Sequence, residues 1–128
     1  DHQAEAVILA QGLRVHARYV VRQLVALGRP LHLIFGMASD KDVRGVLALL
    51  PQSAKYYFTA ARVPRALAPE ELRELAQPYG LRGEVYPSIR EALAAAQSVA
   101  QPETDVIFVG GSNFLIADLL AIQSTKQR

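Results

Sequence analysis

Three short segments of this chain carry groups that could do chemistry. In the first, Gly110-Gly111-Ser112 ends the uncharged run Val106-Ile107-Phe108-Val109, and Asn113-Phe114-Leu115 then begins a helix-periodic stretch. That order predicts a buried strand, a tight turn and a helix start, whose backbone N–H groups and positive dipole end suit a phosphate or carboxylate. The same residues also work without a ligand, as turn glycines followed by Ser112 as a helix N-cap. In the second, Asp40-Lys41-Asp42 offers carboxylates for Mg²⁺ and an ammonium for a substrate, or else a capped, solvated helix start. In the third, Pro64 stiffens the loop carrying Arg65, which is either a clamp for carboxylate or phosphate or a surface charge.

Other chemistries find less support. No Lys followed by Ser or Thr comes after the glycines, and no Gly-x-Gly-x-x-Gly occurs, so the chain by itself has no phosphate-binding loop for ATP. His2, His16 and His32 are too dispersed for a metal set. His16 reads as a solvent or interface residue beside Arg14 and Arg18, and His32 as a strand residue among apolar neighbours. No Ser, His and acid combination stands out, and the catalytic residues are left unassigned.

The elements that must position these groups alternate in type and have short connections, the pattern of a sheet flanked by helices. Strands are predicted at Glu5 to Ala10, Leu31 to Met37, Ala54 to Thr59, Gly83 to Tyr86 and Asp105 to Val109. Helices are predicted at Leu13 to Leu27, with Val15, Tyr19, Val20, Leu24 and Leu27 as its apolar face, after Ser39 or Asp40 as a cap, at Pro69 to Ala76, and at Ser88 to Val99. Ser88 and Glu91 have the spacing of a capping box. Strands separated by helices pair mainly in parallel, and ligands of such sheets bind beyond the carboxyl ends of the strands. The three segments above therefore converge on one edge.

Composition bounds the rest. A chain of 128 residues, 51% hydrophobic, fills the core of one domain, so residues 1–128 are expected to form a single unit. No apolar run approaches the roughly 18 residues of a membrane helix, and the amino end lacks a signal-peptide layout, so a cytoplasmic protein without membrane contact is expected. The absence of cysteine excludes disulfides and thiolate metal sites. A net charge of +2 with scattered basic residues disfavours a nucleic-acid partner.

Taken together, three segments resemble the C-terminal domain of folylpolyglutamate synthase / dihydrofolate synthase, in the Mur ligase superfamily. They are Leu31-His32-Leu33-Ile34-Phe35-Gly36-Met37-Ala38-Ser39-Asp40-Lys41-Asp42-Val43, then Tyr56-Tyr57-Phe58-Thr59 with Val63-Pro64-Arg65-Ala66, then Asp105 to Ser112. They occur in the family's order and at comparable spacing, over about Val7 to Leu120. The resemblance implies a three-layer, Rossmann-like α/β domain with a mostly parallel sheet. It also implies a ligase that uses ATP and Mg²⁺ to turn a folate or dihydropteroate carboxylate into an acyl phosphate, which glutamate attacks. In that family a larger N-terminal domain carries the phosphate loop, most magnesium ligands and the pterin site. This chain would then be the C-terminal part, holding neither ATP nor metal alone and inactive in isolation.

By the same resemblance, Gly111 and Ser112 match the family's glycine-serine pair, Asp40, Lys41 and Asp42 its Asp-Lys-Asp turn, and Arg65 its proline-arginine. One departure stands out. The family's first strand ends in Asp-x-Ala/Gly-His-Asn, whereas here Val7-Ile8-Leu9 is followed by Ala10-Gln11-Gly12-Leu13-Arg14. Two readings from other classes were weighed. A receiver-like module lacks its phosphorylatable Asp, since Thr59-Ala60 follows the third strand. A non-catalytic α/β module binding a small anion or nucleotide is the alternative to the ligase.

Overall fold

The computed structural model describes residues 7–12, 17–39 and 42–111. Ser112, Asp40, Lys41, His2 and His16 of the sequence reading lie outside them. Five strands are present: β1 (Val7–Gly12), β2 (Leu31–Gly36), β3 (Lys55–Phe58), β4 (Gly83–Val85) and β5 (Val106–Gly111). Four helices connect them: α1 (Ala17–Ala26), α2 (Val43–Leu47), α3 (Pro69–Ala76) and α4 (Ile89–Val99). The sheet order is β1-β5-β2-β3-β4, and every pairing is parallel.

Alternate side chains of β2, β3 and β5 enter two separate cores, because successive residues of a strand point to opposite faces. Leu31, Leu33, Phe35, Tyr56, Phe58, Val106 and Phe108 pack with α1, α2 and α3. Ile34, Tyr57, Ile107 and Val109 pack with Ile89, Ala92, Leu93 and Ala96 of α4. Both faces being covered explains why β2 and β5 read as continuous apolar runs instead of alternating ones. The domain is thus the three-layer α/β sandwich with a parallel sheet expected from the pattern.

Local chemistry sets the element ends. Ser88 Oγ caps α4 by accepting from the Glu91 N–H, and it donates to Glu91 Oε1 at 2.9 Å, so the Ser88–Glu91 pair forms with the hydroxyl as donor where the predicted capping box would use the Ser88 backbone N–H. Pro69 opens α3 with Glu70 and Glu71 in its first turn, where the dipole favours acids. The turn after α3 ends at Gly80, whose φ of +76° is costly for a residue with a Cβ.

Four expectations are corrected. β1 runs on past Ala10 through Gln11 and Gly12 because β5 offers it a ladder partner along that whole length. In α1 the buried face is Val20, Val21 and Leu24, while Tyr19 and Leu27 are exposed. Asp42 caps α2, accepting from the Gly45 N–H at 3.1 Å, in place of the expected Ser39 or Asp40. Finally, Gly110 and Gly111 are the last two residues of β5 and not a turn, since Gly110 pairs with Phe35 and Gly111 with Gly36.

Candidate functional site

All strands being parallel, their carboxyl ends form one edge, and the register at that edge is set by glycine. Gly12 of β1, Gly111 of β5 and Gly36 of β2 lie side by side as the last residues of three adjacent strands. Gly111 has φ +116°, and a Cβ there would run into the Gly36 carbonyl oxygen. The centre of the edge is therefore a shelf of backbone without side chains, packed closely at Gly36 and Gly111, which are both buried.

Beyond Gly36 the chain continues through Met37 and Ala38 to a turn at Ser39, and the connection after β3 folds back along it. Ala38 and Ala66 form an antiparallel bridge. The Ser39 N–H donates to the Arg65 carbonyl at 2.7 Å, and the Leu67 N–H to the Met37 carbonyl at 2.9 Å. The segment carrying Pro64 and Arg65, an irregular connection by sequence, is thus pinned to the segment leading into Asp42. Ser39, Asp42 and Arg65 are all exposed. Arg65 is thereby joined to Ser39, three residues beyond Gly36 at the end of β2, and Gly36 pairs with Gly111. Asp42 commits one carboxylate oxygen to its helix cap, as the simpler of its two readings required.

Thr59 is a residue that sequence reasoning passed over. It follows β3 beside Gly36, donates its N–H to the Phe35 carbonyl and is wholly buried, and its hydroxyl has no partner among the described residues. Nothing in the local sequence signals this, because the burial comes from neighbouring strands.

The most strongly coupled polar cluster lies at the opposite, amino-terminal edge. His32 Nε2 is 2.7 Å from Asp105 Oδ2, His32 Nδ1 is 2.9 Å from the Tyr57 hydroxyl, and Thr104 Oγ1 donates to Asp105 Oδ1 at 2.8 Å. Burial opposes ionisation of Asp105, but hydrogen bonds from His32, Thr104 and Gln101 outweigh it and hold the carboxyl below its usual range. The cluster joins β2, β3 and the connection into β5, and being buried and remote from Arg65 and Gly111 it is a structural clasp. Two open depressions of about 430 and 700 Å³ also lie away from the site, around Arg82, Gly83 and Glu84 of the β4 edge.

Burial pushes the Tyr57 phenol up to about 12, helped by neighbouring Tyr86 and Asp105, and burial alone raises that of Tyr56. A folded-state value above the unfolded one, about 10, means stability is intact below pH 10 and is lost as pH rises through the folded value. Absorbance titration of the phenolates is expected to show Tyr56 and Tyr57 ionising together with loss of near-ultraviolet circular dichroism. Their ionisation near pH 10 in a folded chain would contradict this.

Among the described residues, no group of three or more His, Asp and Glu is placed to hold a metal ion, and no helix is long and apolar enough to cross a membrane.

Comparison with known proteins agrees with this geometry. Residues 15–113 match the family model of the Mur ligase, glutamate ligase domain. Among solved structures, E. coli FolC in complex with DHPP and ADP aligns at 27% identity and TM-score 0.78, covering 88% of this chain and 27% of that one. The bifunctional folylpolyglutamate synthase/dihydrofolate synthase of Yersinia pestis, complexed with AMPPNP and Mn ion, aligns at 25% identity and TM-score 0.71, over 84% and 26%. Mycobacterium tuberculosis folylpolyglutamate synthase, complexed with ADP and AMPPCP, aligns at 27% identity and TM-score 0.71, over 83% and 26%. The chain thus spans about a quarter of the length of each. A comparison with curated proteins gave no match. From the all-parallel fold, the glycine edge and the family match, the chain belongs to the Mur ligase family, as a glutamate ligase domain.

Proposed function

We propose that this chain is the C-terminal domain of an ATP-dependent ligase that adds L-glutamate to dihydropteroate, to folates, or to both, through an acyl phosphate. ATP and Mg²⁺ are gripped mainly by a second, N-terminal domain that carries the phosphate loop. The observation that carries the reading is the meeting, at one carboxyl edge, of the Gly36–Gly111 shelf with the Ser39–Arg65 backbone pair. Its likeness to folate–glutamate ligases in particular supports the choice of substrates. In this reading Arg65 contacts the carboxylates of glutamate, and Asp40, Lys41 and Asp42 are assigned to the same substrate. Gly111 and Ser112 are assigned to the reacting groups in the same reading. Closure of the two domains then excludes water from the acyl phosphate, which would otherwise hydrolyse.

The test joins this chain to the N-terminal domain of a folylpolyglutamate synthase and follows labelled glutamate entering dihydropteroate. Incorporation is expected from the joined protein and none from the chain alone. Glutamate addition by the 128 residues alone, or none by the joined protein, would overturn the reading. Arg65→Ala is expected to lower kcat/KM for glutamate by about ten-fold to a hundred-fold, the worth of one charged hydrogen bond, without lowering the Tm by more than a few degrees.

A further inference from the structure

The sheet order β1-β5-β2-β3-β4 leaves β4 with a strand on one side only. The Tyr56 N–H donates to the Arg82 carbonyl at 3.1 Å, and the Tyr86 N–H to the Phe58 carbonyl at 2.8 Å. Backbone groups of a strand point alternately to its two sides, so Arg82, Glu84 and Tyr86 direct theirs to β3, while Gly83 and Val85 direct theirs outward. Beyond them lies no other described strand. Gly83 is only half-buried, and a Cβ there would run into the Tyr56 carbonyl oxygen, so no side chain stands over the middle of this edge.

Two charges flank Gly83. Arg82 and Glu84 are exposed, lie two positions apart on the same face of the sheet, and form no ion pair among the described residues. Within its own sheet Arg82 stands beside Lys55, one register step before the Tyr56 and Gly83 pair, so its ladder neighbour carries a like charge. We infer that the β4 edge is an interface between two copies of this chain, whose β4 strands pair antiparallel about a two-fold axis at Gly83.

The order Arg82-Gly83-Glu84 supports that occupant, because under this axis it is its own complement. With Gly83 opposite its copy, the outward N–H and C=O groups of the two glycines close a pair of hydrogen bonds. Arg82 of each chain then lies opposite Glu84 of the other, in the type of pair where side chains come closest. Parallel pairing, or antiparallel pairing centred on Arg82 or on Glu84, would set like charges opposite each other. Sheet edges are commonly guarded by charges that repel a second strand, whereas these two attract one. Open depressions of about 430 and 700 Å³ beside β4 leave room for side chains of the second copy. The same antiparallel pairing points the carboxyl edges of the two sheets in opposite directions, so each candidate site stays clear of the seam.

The experiment is sedimentation equilibrium of the full 128-residue chain up to roughly millimolar concentration, since an interface of this length is small and its dimer weak. The parent chain is expected to dimerise. R82E and E84R are each expected to weaken self-association by about ten-fold or more, because each reversal turns both two-fold-related pairs repulsive. An equimolar mixture of R82E and E84R is expected to form a heterodimer, and R82E/E84R to self-associate as the parent does. Recovery in the mixture and in the double reversal excludes misfolding as the cause of the loss. A parent chain that stays monomeric overturns the inference, as does a mixture that associates no better than its components. Dimerisation that survives both single reversals places the seam elsewhere and overturns it too. Hydrogen exchange at the Gly83 and Val85 amides is expected to slow as the dimer forms. Protection independent of concentration would show another segment of the same chain covering the edge, and so would also overturn the inference.

Discussion

Gly111→Ala is expected to lower the unfolding free energy by about 4 kcal/mol, a large share of the roughly 5–15 kcal/mol that holds a domain together. Two costs add. At φ +116° a residue with a Cβ is strained, by about 1–3 kcal/mol, and the Cβ runs into the Gly36 carbonyl oxygen across the β2–β5 ladder. Backbone gives way less readily than the end of a side chain, so the two central strands must part. Gly28→Ala is the control: its φ is +64° but a Cβ there meets nothing within 4 Å, so a loss of only about 1 kcal/mol is expected. Urea unfolding of the two variants measures the difference, and equal midpoints would show that the close approach of β5 to β2 costs nothing. Because the same glycine shapes the candidate site, the joined ligase carrying Gly111→Ala is expected to lose activity even at temperatures where it remains folded.

Asp105→Ala is expected to cost about 3 kcal/mol, because it leaves His32 buried beside Tyr57 without its anionic partner. The pair lies at the rim of the sheet, which water reaches more readily than the centre, so the low end of the range for broken buried pairs applies. The sign of the acid response follows from the lowered carboxyl of Asp105. Its contribution is present above the unfolded carboxylate value, about 4, and is lost as pH falls through the folded value. Unfolding midpoints measured from neutral pH downward are therefore expected to fall more steeply in the parent chain than in Asp105→Asn. Parallel curves would remove Asp105 from the acid response. The carboxyl edge lies at the far end of the same strands, so substrate contacts there are not the origin of either effect.

Much of the fold was legible before any coordinates. Strand and helix placement followed from apolar runs, from proline at Pro69, and from the Ser88 and Glu91 pair, because these act over a few residues and do not depend on distant partners. Boundaries failed where partners decide them. β1 extends to Gly12 only because β5 lies beside it, and Gly110 and Gly111 look like a turn in sequence but are strand residues paired to Phe35 and Gly36. Tyr19 and Leu27 have helical spacing with Val20 and Leu24, yet α1 presents a narrower stripe to the sheet, so they remain outside.

The candidate site divides in the same way. Residue types at Asp40, Lys41, Asp42, Arg65, Gly111 and Ser112, their order along the chain, and the parallel α/β pattern were enough to predict that the chemistry gathers beyond the carboxyl ends of the strands. Which atoms meet there was decided by tertiary structure alone: the strand order that sets β5 between β1 and β2, and the return of the Pro64-Arg65 segment along Met37 to Ser39. The physical reason is range. Propensity, capping and periodicity act within a turn or a strand, whereas the contact of Gly111 with Gly36 and the pairing of His32 with Asp105 join residues more than seventy positions apart. Those contacts arise only when the sheet has closed.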